Sequence, residues 1–172
     1  MKRFFILLLK PLSFLPAILI LYLIFMFSAQ SGTDSGNLSH KISHHVVTIS
    51  AKIVNKDLTL EQINHYTNKI HTPVRKLAHM AEYFCLAVAI AFPLYVYGLR
   101  GFPLLLLAGL ICVSAAALDE YRQSFVAGRS SSVQDVLIDS IGVFLGIITV
   151  QIICWTALSG SRRRAKKAAR RK

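Results

Sequence analysis

The chain has 172 residues, 54% of them hydrophobic and only 16% charged, with a mean hydropathy of +0.52. Soluble domains carry roughly a quarter charged residues, so the composition excludes an ordinary soluble domain and indicates an integral membrane protein. The formal net charge of +12 does not point to nucleic acid, because eight of the 20 Lys and Arg lie after Ser161, in a block without interleaved aromatics or any recognisable nucleic-acid module.

Crossing a bilayer takes about 20 apolar residues in a helix. Four runs approach or exceed that length, at about 11–28, 73–97, 102–119 and 133–158, the first and third being the shortest. They divide the chain into a basic N-terminal segment (1–10), a transmembrane domain (11–158) and a basic tail (159–172). The expected fold is all-α: a four-transmembrane-helix bundle with one or two amphipathic helices in the long loop between the first two spans.

The first run follows Met1-Lys2-Arg3 and could be read as a secretory signal. Lys10 and Pro11 interrupt it, the apolar stretch from Leu12 is long, and Phe27 fits poorly beside a cut after Ala29. A retained span is the better reading. The segment from Gly32 to Thr72 is too polar to cross, yet Leu38, Ile42, Val46, Ile49 and Ile53 recur at helical spacing, and Thr59 with Gln62 has capping-box spacing. Amphipathic helices lying on the outer leaflet, or lidding the bundle, fit this pattern. His40 and His44 are four residues apart and could share a metal. With no acid or cysteine nearby they read as solvated histidines, and no metal or cofactor is expected.

Thr72-Pro73 places a cap before a proline at the first helical position, so the second span is expected to begin near Pro73. On that helix Arg75, His79, Glu82 and Leu86 share one stripe. The third run ends in Ser114-Ala115-Ala116-Ala117, just before Asp119 and Glu120. Ser132 with Asp135 starts the fourth span near Val133, where Asp135, Asp139, Gly142 and Gly146 share a stripe. That stripe combines two acids with a small pair that admits a close helix neighbour. Cys85, Cys112 and Cys154 all fall in apolar runs without disulfide or zinc spacing and read as packing residues.

Lys and Arg are biased toward the two termini and the short turn holding Arg100, twelve against eight in the other connections. The expected location is therefore the cell membrane, with several spans and both termini cytoplasmic. The basic tail then sits at the anionic cytoplasmic leaflet. Four spans with both ends together bring the end of span one, the start of span two, the end of span three and the start of span four to one face.

Every polar motif converges there. The candidate polar pocket comprises Arg75, His79, Glu82, Asp119, Glu120, Gln123, Arg129, Asp135 and Asp139, with Ser28, Gln30 and Lys76 as secondary members. Ionisable groups in membrane segments cost about 2.5–3.5 kcal/mol each on insertion scales, so something must offset them. One reading is structural glue, with the acids and bases pairing. Another is an outward-opening pocket, in which Arg75 or Arg129 holds a lipid phosphate, His79 moves protons, and the acids act as acid, base or cation ligands. No sharp catalytic signature is present.

Four ordered motifs carry a resemblance. They are Phe27-Ser28-Ala29-Gln30-Ser31-Gly32; Arg75-Lys76-Leu77-Ala78-His79-Met80-Ala81-Glu82-Tyr83; Asp119-Glu120-Tyr121-Arg122-Gln123-Ser124-Phe125 with Gly128-Arg129; and Asp135-Val136-Leu137-Ile138-Asp139 with Gly142 and Gly146. From Phe27 to Gly146 the chain resembles the VanZ-like family of membrane proteins. The resemblance implies a place in the bacterial cell envelope and a link to teicoplanin-type glycopeptide resistance, but supplies no biochemical activity. Beside the bilayer itself, the ligands to consider are an anionic lipid, a lipid-linked envelope precursor or a glycopeptide. The alternatives are an enzyme acting on a lipid-linked substrate, with His79 and Glu82 in acid/base roles, or a structural or regulatory partner of another envelope protein.

Overall fold

The computed structural model describes residues 11–54, 57–129 and 131–169, with side chains as far as Ala157. The basic N-terminal segment and the side chains of the basic tail lie outside the described residues. A short 3-10 turn, Pro11–Phe14, leads into α1 (Leu15–Ser28). There follow α2 (Gly32–Ile53), α3 (Leu60–Val96), α4 (Phe102–Gln123) and α5 (Val133–Ala169). Among the described residues there is no strand, and four helical stretches are long and apolar enough to cross a membrane: Pro11–Ser28, Leu60–Val96, Phe102–Gln123 and Val133–Ala157.

The second span does not start a new helix at Pro73. Thr59 accepts a hydrogen bond from the Gln62 backbone, the Gln62 side chain answers at the Thr59 amide, and α3 then runs unbroken through Pro73 to Val96. A proline removes one amide and tends to bend a helix. Here the capping box upstream and the packing on both sides carry the helix through. At 1.5 Å per residue, the 37 residues of α3 span about 55 Å, well beyond a hydrocarbon layer of about 30 Å. The N-terminal part of α3 therefore extends beyond the span, and α2 packs against it.

The core lies between α3, α4 and α5. Tyr83, Leu86, Ala87, Ile90 and Ala91 of α3 meet Leu104, Ala108, Cys112 and Ala116 of α4 and Val143, Ile147 and Val150 of α5. The pair α3 and α5 is the most extensive interface, and its closeness depends on glycine. A Cβ on Gly142 would strike the Met80 carbonyl, and one on Gly146 would strike the Phe84 carbonyl. The small pair in the sequence thus does what such pairs do in membranes, letting two backbones touch. Cys112 is buried in this core, whereas Cys85 is exposed and lines an apolar groove beside Pro16 and Ile20 of the first span.

Helix α2 turns its small residues inward. Ser39, Ser43 and Val47 are buried, and its stripe of large aliphatics faces out. His40 bonds to Asn68 of α3 at 3.0 Å, tying the two helices together.

Candidate functional site

Helix α1 ends at Ser28, and the turn that follows is pinned to the loop joining α4 and α5. The Gly32 amide donates to the Ala127 carbonyl at 3.1 Å. Gly128 adopts φ +75, in the region that favours glycine, and a Cβ on Gly32 would strike its carbonyl. This backbone crossing carries Arg129 over the ends of the helices.

Near it lie two spaces that share part of their lining. The inner one is a cavity of about 30 Å³, lined by Lys76, Glu120, Gln123, Asp135, Ile138 and Asp139 together with Arg75, His79 and Arg129. It is large enough for a water or two. The outer one is a groove of about 220 Å³, also lined by Arg75, His79 and Arg129. Its remaining wall is apolar in part, with Phe27, Leu38, Ile42, Val74 and Ala78, and polar in part, with Gln30, Ser35, Ser39 and Glu82. Arg75, His79 and Arg129 thus line both a small polar chamber and an amphiphilic groove.

The structure brings the nine pocket residues named from the sequence to one end of the bundle, but it divides them into two kinds. One kind is held by partners within the protein. Asp119, 2% exposed, accepts from Ser28 Oγ at 2.5 Å and from Gln123 Nε2 at 2.9 Å, with Arg122 Nη1 3.7 Å from its other oxygen. Glu120 accepts from the Ser132 amide at 2.6 Å, which fixes the chain just before α5. Lys76 and Asp135 pair at 2.6 Å across α3 and α5. Both ends of that pair are partly exposed, so a double-mutant cycle over Lys76→Met and Asp135→Asn should give a coupling of about 0.2–1 kcal/mol in thermal unfolding.

The other kind is left open. Among the described residues, no hydrogen bond or ion pair engages the side chains of Arg75, Arg129 or Asp139, and Arg129 Nε is buried without a partner. Burial, followed by the neighbouring Arg75 guanidinium, lowers the pKa of Arg129, while Asp119, Glu120 and Glu82 act against that shift. His79 Nδ1 lies 3.2 Å from Glu82 Oε2, a close contact whose geometry leaves that oxygen without a hydrogen bond among the described residues. Asp139, 7% exposed, is within electrostatic reach of the same imidazole.

Tyr83 was not singled out as a site residue from the sequence. It is fully buried close to the acids, with a hydroxyl that finds no hydrogen-bond partner among the described residues. An apolar ring inside an apolar run carries no signal in a hydropathy pattern; its spacing of four from His79 was the available clue. The apolar wall of the groove was equally hidden, because Phe27, Val74 and Ala78 are ordinary span residues until α2 folds over them. Among the described residues no group of three His, Cys, Asp or Glu is placed to hold a metal ion.

Four apolar helices enclosing a charged chamber at one end define a multi-pass membrane protein with a polar site at the limit of its bundle. The VanZ/LLP1 family profile matches residues 13–154, most of the chain, and the protein belongs to that family. The match starts before the first motif and continues past the last, so it includes α2. No curated protein and no solved structure matches the chain.

Proposed function

We propose that this VanZ-family protein binds the anionic headgroup of a lipid or lipid-linked envelope precursor. In this reading the phosphate lies against Arg75 and Arg129, and the chain lies along Phe27, Leu38, Ile42, Val74 and Ala78. The observation that carries the reading is the pair of guanidiniums, without hydrogen bond or ion pair among the described residues, that line both the polar cavity and the half-apolar groove. Guanidinium is the cation best matched to phosphate geometry. The inner cavity is too small for anything but water, which puts the anion at these guanidiniums on the groove side. A groove of about 220 Å³ is smaller than the ~300–1,000 Å³ typical of drug-sized ligands. It accommodates a headgroup and the first methylenes, with the rest of the chain left in the bilayer. A lipophilic glycopeptide would reach it through its apolar portion only, so any resistance to teicoplanin follows from envelope lipid handling in this reading. With both termini cytoplasmic, the site faces outward.

Native mass spectrometry of the purified chain with added phosphatidylglycerol tests this. Each guanidinium contributes a charge-assisted contact of about 1.5–3 kcal/mol, so Arg75→Ala and Arg129→Ala should each weaken retention by on the order of tenfold or more. Equal retention by wild type and the double variant, with unchanged thermal stability, would overturn the proposal.

A second reading is favoured by the contact of His79 with Glu82, with Asp139 nearby: acid/base chemistry on the bound headgroup. Turnover of a lipid-linked precursor by wild type, lost in a folded His79→Ala variant, would establish it. Absence of turnover with lipid retention intact leaves binding alone.

A further inference from the structure

The outward face of α2 is not explained by its packing. Leu38, Ile42, Val46, Ile49 and Ile53 are 52, 44, 44, 56 and 76% exposed and form a continuous stripe along the helix. At 100° per residue, Lys41, His45 and Lys52 border one edge of that stripe, and all three are exposed. The buried Ser39, Ser43 and Val47 lie on the other side, against α3. Over the same stretch α3 presents Glu61, Asn64, His65, Asn68 and Lys69 outward, a mainly polar surface interrupted by Leu60 and Tyr66. The two packed helices therefore divide their surroundings, one face apolar with a cationic border and the other aqueous.

Two features identify what covers the stripe. Its first members, Leu38 and Ile42, also line the groove beside Phe27, itself 42% exposed at the end of α1. The exposed apolar residues of the first span and of α2 thus meet at one groove. The cationic border is where long side chains reach lipid phosphates while their stems lie on the hydrocarbon. We infer that α2 is an interfacial helix, seated with this stripe at the headgroup–hydrocarbon boundary of the leaflet on the site's side. The groove then opens between Phe27 and Ile42 sideways into the lipid. The seating of α2 stands without any ligand, whereas the sideways opening bears on function only if the groove binds lipid as proposed above.

Trp155 is the single tryptophan, so a Trp155→Phe background clears the signal. In that background Ile49→Trp, Ile42→Trp and Asn64→Trp are compared in phosphatidylglycerol and phosphatidylcholine vesicles carrying brominated acyl chains. All three positions are exposed, so folding is preserved. Ile49→Trp should be quenched by bromine and shielded from acrylamide severalfold better than Asn64→Trp. Ile42→Trp should behave like Ile49→Trp where the groove opens to lipid. If Ile49→Trp is as accessible to acrylamide as Asn64→Trp, α2 stands in water and the inference is wrong. Shielding of Ile49→Trp from both quenchers would assign the stripe to a second copy or another protein and would equally overturn it. Shielding of Ile42→Trp alone from both would remove the sideways opening. None of these readings depends on lipid retention at Arg75 and Arg129, so each proposal fails or stands by itself.

Discussion

Gly142→Leu is expected to abolish the folded bundle, and Gly142→Ala to lower its stability by about 3 kcal/mol, the upper end of the usual range for overpacking. The reason is what the new Cβ meets. At Gly142 it is the Met80 carbonyl, backbone that cannot rotate away, at the centre of the largest helix interface. Gly109 in α4 supplies the control, since a Cβ there would meet only side-chain atoms of Phe144 and Ile147, at 3.8 and 3.9 Å. Gly109→Ala should be tolerated and could gain up to about 1 kcal/mol from helix propensity. Thermal unfolding followed by circular dichroism in detergent separates the two. Equal stability of the two alanine variants would mean that α3 and α5 do not touch at Met80. Because Asp139 sits one turn before Gly142, and His79 immediately before Met80, this contact also sets how closely the two sides of the inner cavity approach.

The second large effect is expected at Asp119. Its carboxylate receives two hydrogen bonds, one from Ser28 on α1 and one from Gln123 on its own helix, which also donates to Ser28 at 3.1 Å. Hydrogen bonds to a charged group contribute about 1.5–3 kcal/mol each. Asp119→Ala should therefore cost about 2–4 kcal/mol, the two bonds sharing one network and not adding fully. Direct contacts between α1 and α4 are sparse, and besides the Ser28 link Arg122 adds a cation-π contact with Phe25 at 4.6 Å. Loss of Asp119 should thus free the end of α1 as well as destabilise the whole. Faster limited proteolysis in the Ala29–Ser31 turn, together with a lowered melting temperature, is the expected signature. Unchanged proteolysis with a lowered melting temperature would place the loss elsewhere.

Asp119 also shows that a charge near the end of an apolar run can tie helices together, while other charges that look the same in sequence make no such bond. From sequence, nine ionisable or amide residues looked alike: each sat near the end of an apolar run. Which of them have partners depends on distances between helices, and no periodicity reports those. Asp119, Glu120 and the Lys76–Asp135 pair turn out to hold α1, α4 and the start of α5 in place. Among the described residues Arg75, Arg129 and Asp139 make no side-chain hydrogen bond or ion pair, and they supply the chemistry on which the proposed function rests.

The span pattern, the polar stripes and the family were legible because each is written in single-helix spacing or in ordered motifs. Hydrophobic length identifies spans, 3.6-residue spacing aligns Arg75 with His79 and Glu82, and even span number gathers their ends. Local rules failed at Pro73, where a strong N-terminus pattern sits inside a longer helix. The Thr59 capping box starts that helix thirteen residues earlier, and α2 packs along it. Capping motifs mark where a helix can begin, not where it does begin when packing favours continuing. The groove belongs wholly to tertiary structure. Its apolar wall comes from α1, α2 and α3, and its cations from α3 and the loop after Gly128. Contacts between residues up to about a hundred positions apart bring those pieces together, and local sequence spacing cannot encode them.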